Sequence, residues 1–148
     1  AGWFGEGGVA GRSATEDHAR DSYENLLFSI CRFHELTGSF PRNVTVVSYG
    51  FKRERFESAH RAAISFPGRR FGFVGTPCAD SSPRVLEGEA LAVAAFARDP
   101  YGCHGDLQRK RLGRDPFATG VPYKASCAAL QGLLAHCGPG RYLGRLPW

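Results

Sequence analysis

The apolar residues between positions 19 and 38 repeat at the spacing of an amphipathic helix. They form one stripe, whose members are Tyr23, Leu26, Leu27, Ile30, Phe33 and Leu36. Residues three and four apart share one face of a helix, so this pattern predicts a helix that packs one side against a core. Asp21 or Ser22 can cap its first turn, and Gly38 is a typical residue to end it.

Two short apolar runs alternate with further helical patterns. The runs "VTVVS" at 44–48 and "FGFVG" at 71–75 predict strands, and helical patterns follow at 56–66 and 86–99. The first run lacks strict alternation, which predicts a strand buried on both faces. Strands that alternate with helices favour a parallel sheet with helices on its faces, and therefore the α/β class. Because two strands make a thin sheet, we expect more of the domain upstream of residue 1.

The two ends of the chain are less regular. Residues 1–14 are rich in glycine and predict a flexible leader, so that 15–148 form a single α/β domain that is incomplete at its N-terminus. The run "ASCAALQGLLAHCG" at 125–138 predicts a last helix. We expect the extended tail after it to pack through its large apolar side chains, Tyr142, Leu146 and Trp148.

An Asp-Pro pair occurs twice in the second half of the chain. It lies within "RDPY" at 98–101 and again within "RDPF" at 114–117. Asp is a good helix cap and Pro is favoured at the first helical position, so each pair predicts the start of a helix.

Charge and composition narrow the classes of partner. The 148 residues carry a formal net charge of +5, with 16 Arg and 3 Lys. These residues are scattered apart from "RKRLGR" at 109–114, whereas a nucleic-acid-binding protein concentrates its charge on one face, so we predict no nucleic-acid partner. No apolar run approaches the ~20 residues that span a bilayer, and the first residues do not resemble a signal peptide. We therefore expect no membrane span and an intracellular protein.

The five cysteines lie at positions 31, 78, 103, 127 and 137 and form no Cys-x-x-Cys pair. Their odd number argues against a disulfide framework, so we expect reduced thiols, several of them in the core. Cys103 and His104 are adjacent, but no second ligand pair lies at zinc-finger spacing, and no metal site is predicted.

Two polar clusters are candidates for a binding site. Ligands of open parallel sheets bind beyond the carboxyl ends of the strands, which is where Ser48, Lys52 and Arg55 follow the first strand. A helix start there offers free N–H groups, and the three side chains suit an anion. The alternative interpretation is a solvated basic helix start.

The second cluster is the polar turn that contains Ser22, Glu24 and Asn25. A helix cap explains one polar side chain in such a turn, but not several. Asn25 lies inside the predicted helix, where its propensity is poor, and its amide could orient a ligand. Glu87 and Glu89 are ordinary first-turn residues, with a general base as the alternative.

Several segments resemble the YdcF-like proteins, the domain of unknown function 218 family, and above all its fungal branch. The segments are "ARDSYENLLFSICRF", "VTVVSYGFKRERFE", "DPYGC" and the closing "LPW". The resemblance implies a Rossmann-like, three-layer α/β/α domain with a parallel sheet. It also implies that Ser22, Glu24 and Asn25 match the family's Glu-Asn segment, and that Ser48 and Arg55 match its turn and helix arginine. Lys52 stands where bacterial members carry histidine. The family's first strand and glycine-rich loop have no counterpart here.

Taken together, these observations predict a domain that binds a phosphate-bearing or nucleotide-like small molecule through a phosphate or carboxylate. They name no cofactor, no reaction and no oligomeric state. The alternative is a non-catalytic protein-interaction module, or a truncated and inactive remnant of the domain.

Overall fold

The computed structural model describes residues 7–79, 82–115 and 118–148. They form a mixed helix and strand domain around a two-stranded parallel sheet. The strands are β1 (Val44–Tyr49) and β2 (Phe71–Thr76), and the longest helices are α1 (Ser22–Thr37) and α3 (Pro83–Arg98). Helix α2 lies between the strands; it is π-helical over Arg55–His60 and α-helical over Arg61–Ala63. Helices α4 (Gly105–Gly113), α5 (Tyr123–Ser126) and α6 (Gln131–Leu134) follow.

Helix α1 begins and ends where its sequence predicts. The Asp21 carboxylate accepts a 2.8 Å hydrogen bond from the backbone N–H of Glu24, and Gly38 ends the helix at φ 69°. A positive φ suits glycine, which lacks the Cβ that crowds this conformation. The apolar stripe forms the centre of the core, but its last members, Phe33 and Leu36, remain 44% and 55% exposed.

The parallel pairing of the two strands confirms the predicted sheet. Val46 lies opposite Phe73, and the side chains of this face pack against the core around α1 and α2. The prediction that β1 is buried on both faces is wrong, because Val47 and Val74 on the other face are 66% and 52% exposed. Along β1, partly buried and exposed residues alternate.

The crossover between the strands holds the end of β1 tightly against β2. A 3₁₀ turn, Gly50–Lys52, follows β1 directly. A Cβ on Gly75 would lie 2.9 Å from Cα of Gly50, so this approach of the two backbones requires glycine. The π-helical part of α2 comes next, and there the N–H of Arg61 donates to the carbonyl of Phe56. Single π-helical turns often occur at functional sites.

The first Asp-Pro pair does not start a helix, and that prediction is wrong. Helix α3 ends at Arg98, and the Asp99 carboxylate accepts hydrogen bonds from the backbone N–H groups of Cys103 and His104. Asp99 therefore shapes the loop that leads into α4. Of the second pair, Pro116 lies outside the described residues, as does Phe117.

The C-terminal region is broken into short turns. The predicted helix over 125–138 is wrong in its extent, because Cys127 adopts φ −116° and ψ 52° and separates α5 from the turn Ala128–Leu130. The packing of the tail is confirmed: the Trp148 indole N–H donates to the carbonyl of Ile64 at 3.0 Å. The predicted leader lies outside the described residues up to position 6, and 7–14 are mostly exposed.

Four of the five cysteines form disulfides, Cys31 with Cys127 and Cys103 with Cys137. The expectation of reduced thiols is wrong for these four. Their partners lie 96 and 34 residues apart along the chain. An odd total is compatible with two bridges, and only the fold brings such distant residues together. Among the described residues, no helix is both long enough and apolar enough to cross a membrane.

Candidate functional site

A cleft of about 780 Å³ opens beside the C-terminal end of β1. Its walls are the N-terminus of α1, the start of α2, one side of α3 and one side of α4. Five of the six side chains predicted as a binding site line it together: Ser22, Asn25, Ser48, Lys52 and Arg55. The turn before α1 and the turn after β1 therefore open into the same space, beside the carboxyl end of β1 where ligands of open parallel sheets bind.

Basic side chains dominate the charge of the cleft. The lining contains the cationic residues Arg20, Lys52, Arg55, Arg98, Lys110 and Arg114, against the acidic residues Asp21 and Asp106. Within the described part of the chain, Lys52, Arg98, Lys110 and Arg114 have no ion-pair partner. The Lys52 ammonium lies 5.2 Å from the ring centre of Tyr49. A concave surface lined by one sign of charge concentrates ions of the other sign, so this cleft attracts anions.

The polar turn before α1 is both a helix cap and a wall of the cleft. Asp21 is the cap and also lines the cleft, together with Ser22 and Asn25. The Asn25 side chain is exposed and makes no hydrogen bond to the described residues, so its amide is available to a ligand. Helix α1 has 16 residues, and the positive end of its dipole lies at this wall.

Glu24 is the one predicted site residue that the structure places away from the cleft. It is 3% exposed, and its Oε1 lies 2.6 Å from Nη2 of Arg20 and 3.5 Å from Nε of Arg111. Arg20 also pairs with Asp115 at 3.1 Å, and Arg111 pairs with Asp21 at 2.5 Å. These five residues form a buried ion cluster, which joins the start of α1 to α4 and so fixes two walls of the cleft relative to each other.

Arg55 lines the cleft but already has a partner. Its Nε lies 3.0 Å from Oε1 of Glu89 on α3, and both side chains are largely buried. Burial raises the pKa of the Glu89 carboxyl, while the positive charge of Arg55 acts in the opposite direction. Burial also lowers the pKa of the Arg55 guanidinium. The pair therefore supplies less net positive charge to the cleft than the isolated arginine predicted from the sequence.

Ser22 contacts a buried histidine that the sequence did not single out. Its Oγ lies 2.8 Å from Nε2 of His60, a residue of α2 with no exposed surface. Burial, with a smaller effect from Arg55 and Arg111, lowers the pKa of His60 to about 3. The imidazole is therefore neutral at neutral pH. The two residues are 38 positions apart and share no motif, so no sequence signal could have paired them.

The basic wall formed by α4 and its C-cap residue was not predicted from the sequence. Lys110 and Arg114 line the cleft, whereas Arg111 belongs to the buried ion cluster. The signal was present in "RKRLGR", where Lys110 and Arg114 are four residues apart and so share a face of a helix. Among residues 7–79, 82–115 and 118–148, no three His, Cys, Asp or Glu side chains are grouped so that they could hold a metal ion.

The chain is similar to an uncharacterised protein of Saccharomyces cerevisiae, YOR238W. The two sequences are 31% identical over 127 residues, which cover 76% of this chain and 41% of the yeast protein. The chain thus spans less than half the length of that relative. No family model matches the chain, and no solved structure matches it. Since the yeast protein is itself uncharacterised, this similarity indicates no function for the chain.

Proposed function

We propose that this chain binds a small molecule that carries a phosphate or carboxylate, such as a nucleotide or a sugar phosphate, in the cleft beside β1. Ser48 and Lys52 bind the anionic group, with Lys110 on the opposite wall. Asn25 orients the polar part of the ligand through its amide. Arg55 lines the binding cleft but adds little net positive charge to it, because Glu89 neutralises its guanidinium.

One observation carries this proposal: two cleft lysines on different elements form no ion pair with the described residues. Lys52 follows β1 and Lys110 lies on α4, and neither forms an ion pair with any described residue. A concave surface lined by basic side chains that form no ion pairs attracts anionic ligands. The cleft volume of about 780 Å³ lies within the range of small-molecule sites, ~300–1,000 Å³.

The proposal extends to the fold and the family. We infer that the two-stranded sheet is part of a Rossmann-like, three-layer α/β/α domain of the YdcF-like type. Three features support this inference: the strands are parallel, the connection between them contains a helix, and the cleft lies at the carboxyl edge of the sheet. Ligand sites of doubly wound folds occur at this edge.

The three lysines of the chain allow a matched test. Isothermal titration with inorganic phosphate, nucleotides and sugar phosphates would compare the unaltered chain with Lys52→Ala, Lys110→Ala and Lys124→Ala. Each charge-assisted hydrogen bond is worth about 1.5–3 kcal/mol, so we expect the first two variants to bind about tenfold more weakly or worse. Lys124 is exposed on α5 and does not line the cleft, so its variant should bind like the unaltered chain.

Two results would defeat this function. One is the absence of binding by any member of the panel. The other is equal weakening in all three variants, which would indicate a general effect of net charge. Binding in the cleft should also weaken as salt is raised, because salt screens the attraction between exposed charges.

A second candidate, a protein-interaction module, is favoured by the outer face of the sheet. Val47, Val74 and Tyr49 are 66%, 52% and 44% exposed there. Analytical ultracentrifugation of the chain and of Val47→Lys would test whether this face associates. A concentration-dependent assembly that the variant abolishes, together with no binding of small anions, would favour the module over the small-molecule site.

A further inference from the structure

The contact between Ser22 and His60 is buried on one side and open on the other. Ser22 lines the cleft, whereas His60 lies behind it with no exposed surface. Aromatic rings surround the imidazole: the ring centres of Phe96, Phe56 and Tyr23 lie 4.5, 5.2 and 6.1 Å away. The hydrogen bond of 2.8 Å to Ser22 Oγ is the one polar contact of the imidazole with the described residues.

The surroundings of His60 decide which ring nitrogen carries the proton. Nδ1 is buried and has no hydrogen-bond partner among the described residues. A neutral imidazole has one N–H, which is at either Nδ1 or Nε2. A buried donor without a partner is rarer in proteins than a buried acceptor without one. The proton therefore belongs on Nε2, which donates to Ser22 Oγ, and the buried Nδ1 keeps its lone pair.

This tautomer determines what Ser22 can do in the cleft. When the Ser22 oxygen accepts a hydrogen bond from Nε2, the hydroxyl hydrogen of Ser22 is free to point toward the cleft. We propose that His60 is a positioning residue, which holds the Ser22 hydroxyl as a hydrogen-bond donor to an unprotonated oxygen of the anionic ligand. This inference rests on the proposed function. It adds that the cleft prefers ligands whose anionic oxygens are unprotonated and therefore only accept hydrogen bonds.

The same geometry opposes a role for Ser22 as a nucleophile. A serine nucleophile needs a neighbouring base that accepts its proton. Nε2 has no free lone pair in this tautomer, and burial, together with Arg55 and Arg111, keeps His60 a weak base. Ser22 and His60 thus recognise a ligand rather than attack it.

The tautomer can be measured in the unaltered chain without a ligand. Long-range ¹⁵N–¹H correlation spectra of the uniformly ¹⁵N-labelled chain at neutral pH distinguish a protonated from an unprotonated ring nitrogen. We expect Nε2 of His60 to be protonated and Nδ1 to be unprotonated. A proton on Nδ1, or on both nitrogens, would overturn the inference irrespective of any binding result.

A binding series tests the consequence for the ligand, with inorganic phosphate as the probe. We expect Ser22→Ala to bind about tenfold more weakly. Ser29→Ala, a change on an exposed part of α1 that does not line the cleft, should bind like the unaltered chain. His60→Gln, whose amide can still donate to Ser22, should keep more affinity than His60→Leu, which cannot.

The outcomes separate the two proposals. If Lys52→Ala weakens phosphate binding and Ser22→Ala does not, the role of Ser22 is wrong and the anion site stands. If His60→Gln and His60→Leu lose affinity equally while both keep the circular dichroism of the unaltered chain, the positioning role of His60 is wrong. If the unaltered chain binds neither phosphate nor any other anion of the panel, the anion site and the role of Ser22 in it both fail.

Discussion

The buried ion cluster at the start of α1 predicts a large loss of stability when Glu24 is replaced by Gln. Glu24 is 3% exposed and accepts three hydrogen bonds from Arg20: from its backbone N–H at 2.9 Å, from Nε at 3.0 Å and from Nη2 at 2.6 Å. Removing one partner of a buried ion pair costs about 3–5 kcal/mol. Because Arg20 keeps Asp115 and Arg111 keeps Asp21, we expect the lower end, about 3 kcal/mol.

A second Arg–Glu pair in the chain has the same spacing and orientation and serves as a control. Arg53 and Glu57 are also four residues apart and pair at 2.9 Å, but their side chains are 51% and 39% exposed. Exposed pairs of this kind contribute about 0.3–0.5 kcal/mol, so Glu57→Gln should cost no more than that. The comparison changes the burial of the pair and keeps the chemistry of the substitution constant.

Urea denaturation of the unaltered chain and both variants would measure these free energies. At a slope of about 2 kcal/mol per M, Glu24→Gln should lower the midpoint by about 1.5 M, and Glu57→Gln should lower it by about 0.25 M or less. Equal losses in the two variants would refute the reasoning, since burial would then not determine the contribution of the pair. The slopes should agree among the three proteins, so that midpoints can be compared directly.

Three further predictions concern residues that the fold brings into unusual surroundings. The pKa of His60 is about 3 in the folded chain against 6.5 for a free imidazole, so the folded chain binds this proton less readily than the unfolded chain. The resulting contribution to folding stability is complete above about pH 6.5 and is lost as the pH falls. Equilibrium unfolding should therefore show about 2 kcal/mol less stability at about pH 5 than at about pH 7, and this difference should shrink in His60→Gln. Gly102 has φ 63°, and a Cβ there would lie 2.6 Å from Nη2 of Arg111, so Gly102→Ala should cost about 3 kcal/mol in urea unfolding. Gly120→Ala, at φ 72° with open space around it, should cost only about 1 kcal/mol; equal losses at the two glycines would contradict the predicted clash. Cys31→Ser removes a disulfide that spans 96 residues, and it should lower the free energy of unfolding by about 4 kcal/mol in urea without reductant. An unchanged urea midpoint would show that the bridge does not stabilise the fold.

The local features of α1 and of the two strands follow from the sequence alone. The start and end of α1 are set by a capping carboxylate and a glycine, and both signals lie within a few residues of the element they control. The two strands are apolar runs separated by a helical segment, which predicts their parallel pairing. That pairing in turn predicts that the side chains after β1 share one edge of the sheet. Ser48, Lys52 and Arg55 lie in the cleft for this reason, whereas Ser22 and Asn25 reach it from the N-terminus of α1.

The polar residues at the start of α1 did not reveal from the sequence which of them pair inside the protein and which face the cleft. Glu24 and Asn25 are neighbours in the same polar turn, yet one is buried among arginines and the other is exposed at the cleft. A helix turns by about 100° per residue, so adjacent residues face different surroundings. Which face meets α4 depends on the packing of two helices that are distant in the chain, and only the folded structure contains that information.

The sequence by itself determined α1, the two strands and the edge of the sheet at which the cleft forms. Only the tertiary structure decided that Cys31 meets Cys127, that Arg111 meets Asp21 and that Ser22 meets His60. These partners lie 96, 90 and 38 residues apart. Helices and turns arise from contacts between residues a few positions apart, whereas these pairs form only when the whole core closes around α1. The sequence identifies each side chain of the cleft. Which of them carry a net charge or donate a proton there depends on partners that only the packed domain supplies.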